Sequence, residues 1–296
     1  MPRILRSERL IHKRLAVLEQ TLPPAAAGSA TALHQARVAT RRLRAVLPLM
    51  PESKGQHRVC RAVKRLTRTL GSVRELDVAL ENLVELEAEP GVPRAALARV
   101  RRWLLDERTR HQREVENEIA HCDLARLKKR ALRANRRRRG TSREVTAQLL
   151  DEAAGEARLR GEHLRLAIEH AAGIYLPDRL HEVRIAVKKL RYSLESLAEL
   201  RGTRPFAGTV KLQHAQDLLG RMHDLERLIA RTREVQAQPG AASLRHSAEL
   251  DRLVRRLEVE CREQHAHYIS LRIPLLAICD RARRLATVGR SRKPNA

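Results

Sequence analysis

Aromatic side chains are almost absent from this 296-residue chain, which has one Trp, one Phe and three Tyr. Proteins that hold single-stranded nucleic acid usually stack the bases on aromatic rings, which contribute about 1 to 3 kcal/mol per base. Five scattered rings cannot form such a platform: Trp103, Tyr175, Tyr192, Phe206 and Tyr268. We therefore do not expect a protein built to recognise exposed bases.

Paired cysteines and long apolar runs are also missing. The four cysteines, Cys60, Cys122, Cys261 and Cys279, have no CxxC spacing, which argues against a disulfide framework and favours buried thiols. No stretch approaches the roughly 18 apolar residues that span a membrane. The opening MPRILRSERL lacks the apolar region of a secretory signal. We expect a cytoplasmic protein with no membrane partner.

Positive charge is what the chain has in excess. Lys and Arg total 60 against 35 Asp and Glu, which gives a formal net charge of +25. Such a field attracts polyanions and has no use in an enzyme for neutral metabolites. Because 43% of the residues are apolar, the chain has enough material for a core and is not expected to be disordered. A folded protein with a polyanionic partner is the first hypothesis.

Helical periodicity predicts eight segments separated by proline and glycine. They run over about 5–22, 31–50, 56–89 and 93–135, and, after the tract RRRRG at 136–140, over about 142–172, 178–200, 205–238 and 242–286. Short connections favour antiparallel neighbours, as in up-and-down bundles. We therefore predict an all-α fold with two domains, residues 1–140 and 141–296, each of four helices.

An internal repeat supports this division. The sequence LHQARVATRRLR at 33–44 matches LHEVRIAVKKLRY at 180–192. A second pair, VKRLTRTLGSVRELD at 63–77 and LQHAQDLLGRMHDLE at 212–226, aligns Gly71 with Gly220. Two matches in the same order indicate that the halves arose by duplication.

The first motif places cations and apolar residues on different faces of one helix. At 100° per residue, His34, Arg37, Arg41 and Arg44 share an arc of about 80°, whereas Arg42 points elsewhere. A separate apolar arc is predicted to face the core: Leu33, Ala36, Ala39, Leu43, Val46 and Leu47. No acidic residue lies within 31–51 to neutralise the basic arc from its own helix. The pattern indicates an anion-binding ridge.

The second motif repeats the arrangement. Its basic arc has His181, Arg184, Lys188 and Arg191, and its apolar arc has Leu180, Val183, Leu190 and Leu194. Here Glu195 follows Arg191 by four residues, so some pairing within the helix is expected. Two matched basic ridges result.

The pair HxxRVxxRRLR and HxxRIxxKKLRY, each followed by an LG-containing helix that ends in an acidic cluster, resembles the CHAD domain, the conserved histidine α-helical domain. The resemblance covers nearly the whole chain. It implies two four-helix bundles about a pseudo-twofold axis, a central groove or pore lined by basic residues, inorganic polyphosphate as the ligand, and association with polyphosphate granules. It also implies the binding residues His34, Arg37, Arg41, Arg42, Arg44, His181, Arg184, Lys188, Lys189, Arg191 and Tyr192. The sequence departs from the pattern at Pro48, which interrupts the first motif helix early, and at Ala45, which stands where the second half has Tyr192.

The chemistry of the residues agrees with that ligand. A linear polyphosphate offers closely spaced oxyanions without bases, which suits the fork of an Arg side chain and needs no aromatic platform. A stripe of arginines on the third segment adds Arg65 and Arg68 as candidates. We expect binding without catalysis, cofactor or metal.

Two interpretations of the motif histidines stay open. His34 and His181 could donate to phosphate when protonated, which would tighten binding below about pH 6.5. Alternatively, each is neutral and held by an acid such as Asp77 or Asp224.

Two other functions compete with polyphosphate binding. A basic ridge also attracts the backbone of nucleic acids, so non-specific nucleic-acid binding is the main alternative. A metal-dependent phosphohydrolase could use His223 and Asp224 with His181 and Asp251, but the repeat aligns His223 and Asp224 with Arg74 and Glu75, which do not resemble metal ligands. The cluster Cys261, His265 and His267 lacks the fourth ligand of a closed zinc site.

Overall fold

The computed structural model describes residues 6–135, 142–238 and 244–285, and every regular element within them is helical. The α-helices are α1 (Arg6–Ala26), α2 (Ala30–Val46), α3 (Lys54–Glu87), α4 (Arg94–Ala120), α5 (Leu124–Asn135), α6 (Ser142–Ala171), α7 (Pro177–Arg201), α8 (Thr209–Gln236) and α9 (Leu244–Arg283). The all-α prediction is confirmed. The basic tract at 136–140 lies outside the described residues.

Local chemistry sets the ends of the helices that carry the motifs. Ser29 caps α2 by accepting the backbone N–H of Ala32 at 3.3 Å. After Val46 the α-helix gives way to a short 3₁₀ turn, Leu47–Leu49, that contains Pro48. In α7, Pro177 lies in the first turn, and Gly202 ends the helix with a left-handed φ of 69°.

The segment predicted as one helix over 93–135 is two helices, because the chain breaks at residues 121–123. The Asp123 carboxylate accepts the backbone N–H of Arg126 at 2.7 Å and so starts α5. No proline or glycine marks this break in the sequence. The prediction of four helices before residue 140 is therefore wrong, since the described residues there form five.

Helix α1 extends four residues past its predicted end at Leu22. Pro23 and Pro24 remain helical in its last turn. The backbone N–H groups of Ala27 and Ser29 donate to the carbonyls of these two prolines at 3.1 and 3.0 Å. Proline has no backbone N–H and therefore removes a hydrogen-bond donor from a helix. Helix α1 ends at Ala26, two residues after Pro24.

The apolar arcs of both motif helices are buried, as predicted. One core joins α1, α2, α5 and the first part of α3. A second joins α6, α7, the first part of α8 and the last part of α9. The basic faces of α2 and α7 consequently point away from these cores.

A third core combines residues from both sides of residue 140. Leu83 of α3 and Leu97 of α4 belong to the same cluster as Leu228 of α8 and Leu253 of α9. In addition, α2 packs against α7 and α3 against α8. These four helices, α2, α3, α7 and α8, enclose the site described next.

Candidate functional site

A cavity of about 350 Å³ lies at the centre of these four helices. Its lining is His34, Arg37 and Arg41 from α2; Arg74, Glu75, Val78 and Asn82 from α3; Arg184 and Lys188 from α7; and Gln216, Asp217, Gly220, Arg221, His223 and Asp224 from α8. Six of these residues are Arg or Lys and three are Asp or Glu, so the lining has an excess of positive charge. No Phe, Tyr or Trp contributes to it.

Four cations of this central pocket occupy equivalent positions of the repeat. Arg37 corresponds to Arg184, and Arg41 corresponds to Lys188. Within the part of the chain that the structure describes, none of these four side chains has an ion pair or a hydrogen bond. The Nε atoms of Arg37 and Arg184 are buried without an acceptor. Unsatisfied buried donors of this kind favour an external acceptor, because leaving them unpaired is costly.

Burial and the repulsion of neighbouring cations disfavour the charged forms of three of these residues, Arg37, Arg184 and Lys188. Burial, followed by the nearby Arg41, lowers the pKa of Arg37 to about 9. Burial, followed by Arg184 and Arg41, lowers the pKa of Lys188 to about 6. The pKa of Arg184 is also lowered, chiefly by burial. An anion placed among the four would favour their charged forms and so offset the effects of burial and repulsion.

The other two cations of the pocket are already paired. Arg74 donates to both carboxylate oxygens of Glu81, at 2.8 and 3.2 Å. Arg221 donates to Glu260 and Glu85, each at 2.7 Å. These two arginines are therefore less available to a ligand than the motif cations.

Two acids at equivalent positions face the cluster. Glu75 and Asp224 attract both Arg37 and Arg184 without forming hydrogen bonds to them. Glu75 accepts instead from Arg227 at 2.8 Å, and burial raises the pKa of Asp224. Sequence reasoning missed this pair, although the alignment of residue 75 with residue 224 contained the signal.

The aligned glycines lie directly behind the aligned arginines. A Cβ atom on Gly71 would come within 3.6 Å of Arg37 Nε, and one on Gly220 within 4.0 Å of Arg184 Nε. A longer side chain at either position would occupy the space of the guanidinium group. The glycine of the repeated Leu-Gly pair thus leaves space for the side chain of the motif arginine.

The two motif histidines have different surroundings. His181 Nδ1 lies 3.2 Å from Nδ1 of His223, and the ring centroids are 4.4 Å apart. His34 lines the central pocket, is exposed and has no hydrogen-bond partner among the described residues. Partial loss of contact with water, followed by neighbouring arginines, lowers the pKa of both. Each therefore gains its charge at a lower pH than an ordinary histidine.

The acids suggested as partners of these histidines have other roles. Asp77 accepts from Arg108 Nε at 2.6 Å. Asp224 faces Arg184, and His181 instead meets His223. Neither acid holds the histidine that we expected it to hold.

The remaining predicted residues lie outside the central pocket. Arg42 and Lys189 line separate cavities on the flanks of α2 and α7. Arg191 donates to Glu195 at 2.5 Å and lies over the ring of Tyr192, which is 8% exposed. The other three lie at the surface: Arg44, Arg68 and Arg65, the last paired with Glu118 at 2.6 Å. The central pocket thus brings together His34, Arg37, Arg41, Arg184 and Lys188.

The residues suggested for a metal site do not converge. Asp251 accepts from Gln236 at 3.0 Å, and Cys261 lies in the shared core near the carbonyl of Met222. In the described ranges, no three His, Cys, Asp or Glu side chains are grouped so that they could hold a metal ion. None of the helices in those ranges is long and apolar enough to cross a membrane.

The fold and the pocket define an all-helical protein in which paired basic motif helices meet at a cationic centre. The CHAD domain family model matches residues 9–233. The chain belongs to the CHAD family, which confirms the resemblance seen in the motifs.

Solved structures share the fold. The crystal structure of the CHAD domain from the plant Ricinus communis aligns with a TM-score of 0.60 at 18% identity, over 95% of this chain and 92% of that one. PptA from Streptomyces chartreusis aligns with a TM-score of 0.62 at 15% identity, over 93% of this chain and 98% of that one. The search of curated proteins gave no match.

Proposed function

We propose that this protein binds inorganic polyphosphate in the central pocket and does not transform it. The observation that carries the proposal is the convergence of four unpaired cations, Arg37, Arg41, Arg184 and Lys188, on one cavity. These cations are half-buried, and the two acids that face them, Glu75 and Asp224, form no hydrogen bonds to Arg37 or Arg184, so the cluster is unfavourable in isolation. A chain of phosphates supplies several oxyanions at once and satisfies them together.

The type of donor favours phosphate chains over bases. Arg side chains form two parallel charge-assisted hydrogen bonds to phosphate oxygens. The pocket lining contains no Phe, Tyr or Trp on which a base could stack. The ligand agrees with the expectation drawn from the CHAD motifs, as does the proposed location at cytoplasmic polyphosphate granules.

In this proposal the two halves are related by a pseudo-twofold axis through the pocket. Its support is that three pairs of equivalent positions meet there: Arg37 and Arg184, Arg41 and Lys188, and Glu75 and Asp224. The equivalent glycines, Gly71 and Gly220, lie next to Arg37 and Arg184. A linear polyphosphate has similar chemistry in both directions along its chain. A site with two equivalent sets of donors suits such a ligand.

Reversing the four motif cations tests the proposal. The variant carries Arg37→Glu, Arg41→Glu, Arg184→Glu and Lys188→Glu, and polyphosphate affinity is measured at fixed ionic strength. A hydrogen bond to a charged group contributes about 1.5 to 3 kcal/mol, so we expect a loss of at least about a hundredfold. Circular dichroism checks that helix content is retained.

A second variant controls for net charge. It reverses four exposed cations outside the pocket, Arg94, Lys129, Lys211 and Arg262. We expect this control to lose much less affinity than the pocket variant. Equal losses would contradict the proposal, because general attraction would then explain the binding.

Competition separates polyphosphate from nucleic acid. Long-chain polyphosphate and single-stranded DNA are compared at equal phosphate concentration in about 150 mM salt, where long-range attraction is largely screened. We expect polyphosphate to displace the DNA. If it does not, non-specific nucleic-acid binding describes the site better.

A further inference from the structure

A second cavity of about 280 Å³ lies on the flank of α2, where α1 and the end of α7 approach it. Lys13 and Arg14 of α1 and Arg42 of α2 contribute its positive charge. Among the described residues that line it, Glu199 is the one acid, and it already accepts from Arg14 at 3.0 Å. Lys13 and Arg42 have no partner among the described residues. This lateral cavity therefore has cations that its own acid does not neutralise.

Arg14 shows that the lateral cavity is more than an exposed basic surface. Arg14 is only 6% exposed, and its Nη1 atom is buried without a hydrogen-bond acceptor among the described residues. Burial is the main cause of its lowered pKa, and the nearby Arg42 lowers it further. The side chains of Val17 and Val38 add apolar wall. Charge-assisted hydrogen bonds are stronger where apolar walls exclude water.

The internal repeat builds a related cavity on the flank of α7. Four positions of α2 line the first cavity, and the four equivalent positions of α7 line the other: Gln35, Val38, Ala39 and Arg42, against Glu182, Ile185, Ala186 and Lys189. The second copy is less suited to anions for two reasons. Glu182 replaces an uncharged Gln35, and its Arg160 is paired with Glu156 at 2.7 Å.

Of the two lateral cavities, the first shares a lining residue with the central pocket and the second does not. His34 lines both the central pocket and the cavity between α1 and α2. In the second half, His181 lines neither the central pocket nor the flanking cavity and instead contacts His223. Basic residues therefore lie on both sides of His34, and the described residues offer no equivalent arrangement around His181.

We propose that an anion bound in the central pocket continues past His34 into the lateral cavity, where Lys13 and Arg42 bind further phosphoryl oxyanions. The inference rests on the proposed function and extends it, because it fixes the direction in which the chain leaves the pocket. It also assigns a role to Arg42, which the central pocket leaves without one.

The test removes both lateral cations. Lys13→Ala with Arg42→Ala is compared with the wild-type protein in binding to long-chain polyphosphate and to tripolyphosphate. Both side chains are exposed and unpaired, so the fold should be retained. We expect an affinity loss of about ten- to a hundredfold for the long chain. The loss for tripolyphosphate should be small, because the central pocket accommodates that ligand.

The matched control is Arg160→Ala with Lys189→Ala, which makes the same change in the equivalent cavity of the second half. We expect it to retain most of the affinity for long chains. An equal loss in the control would overturn the inference, since the path past His34 would have no special role. The inference would also be overturned if the lateral variant lost as much affinity for tripolyphosphate as for the long chain. The lateral cavity would then be a separate site for short anions.

Failure of this inference can be told apart from failure of the proposed function. Arg37→Ala is measured in parallel as a probe of the central pocket. If Arg37→Ala weakens binding while the lateral variant does not, only the path past His34 is refuted. If neither variant changes the affinity, the central pocket is not the binding site.

Discussion

The two motif helices bring equivalent cations to the pocket but differ in what those cations can do. From α2 come two guanidinium groups, Arg37 and Arg41, whereas α7 supplies one guanidinium group, Arg184, and the ammonium group of Lys188. The pKa of Lys188 is lowered to about 6, chiefly by burial. The two copies of the repeat thus place charged groups at the same positions. In the second copy, however, the charge of one of these groups, Lys188, depends on pH.

Among single substitutions, removing the equivalent arginine from each copy in turn should give the largest effect, and it tests whether the copies are equivalent. Arg37→Ala and Arg184→Ala each delete an unpaired guanidinium group at the same position of the repeat. We expect each to weaken polyphosphate binding by about ten- to a hundredfold, and the two losses to agree within a few-fold. Titration calorimetry at fixed salt measures both.

Arg74→Ala is the control for this pair. Arg74 lines the same pocket but is already bonded to Glu81. Its loss should therefore cost less affinity than that of Arg37 or Arg184. A larger loss for Arg74→Ala would show that the unpaired cations are not the principal ligands.

Substituting the lysine at position 188 tests the pH dependence. In the protein without ligand, the pKa of Lys188 is about 6, and a bound anion raises it. Above pH 6, Lys188 therefore takes up a proton when the anion binds. Affinity should fall as pH rises from about 6 to 8, by at most about tenfold per pH unit. Lys188→Arg should flatten the curve, because an arginine keeps its charge over this range. A flat curve for the wild-type protein between pH 6 and 8 would refute this explanation.

The stability of the free protein should show the opposite trend. The pKa of Lys188 is about 6 in the folded state, against its ordinary value of 10.5. The unfolded chain therefore binds more protons between these values, and the free energy of unfolding rises with pH in that window. Thermal unfolding without ligand, compared between the wild-type protein and Lys188→Met from pH 6 to 8, measures this contribution.

Substitutions of the aligned glycines, Gly71 and Gly220, should have the smallest effect on polyphosphate binding. Gly71→Ala should be tolerated, because its Cβ meets Arg37 at an ordinary contact distance of 3.6 Å, and it should gain up to about 1 kcal/mol of helix stability. Gly71→Leu should displace the guanidinium group and weaken binding a few-fold. The same change at Gly220 should weaken it less, since Arg184 lies farther away at 4.0 Å. The reverse order of the two losses would contradict this assignment.

Periodicity alone predicted which faces of the motif helices are buried. It could not predict which residues of a basic arc meet, because that depends on where two helices cross. Arg37 and Arg41 lie where α2 approaches α7, whereas Arg191, on the same predicted arc as Arg184, is bonded to Glu195 and Gln216. A helical wheel contains no information about the neighbouring helix, so these positions separate only in three dimensions.

The helix break at 121–123 was missed for a different reason. It depends on one side chain, Asp123, that caps the next helix, rather than on a residue that excludes helix. Asp also occurs within helices, so its presence does not mark an end by itself. By contrast, Ser29 precedes an apolar periodic run directly after Gly28, and there the helix start could be placed within one residue.

Because the third core is shared, neither copy of the repeat could bury all of its apolar residues by itself. Leu83 of α3 and Leu97 of α4 are covered in part by Leu228 and Leu253, which belong to the other copy. If either copy were taken away, the other would present an apolar strip to solvent. The same long helices, α3 and α8, carry both pocket residues and shared-core residues, so the charged cavity is supported by contacts that neither copy could make alone.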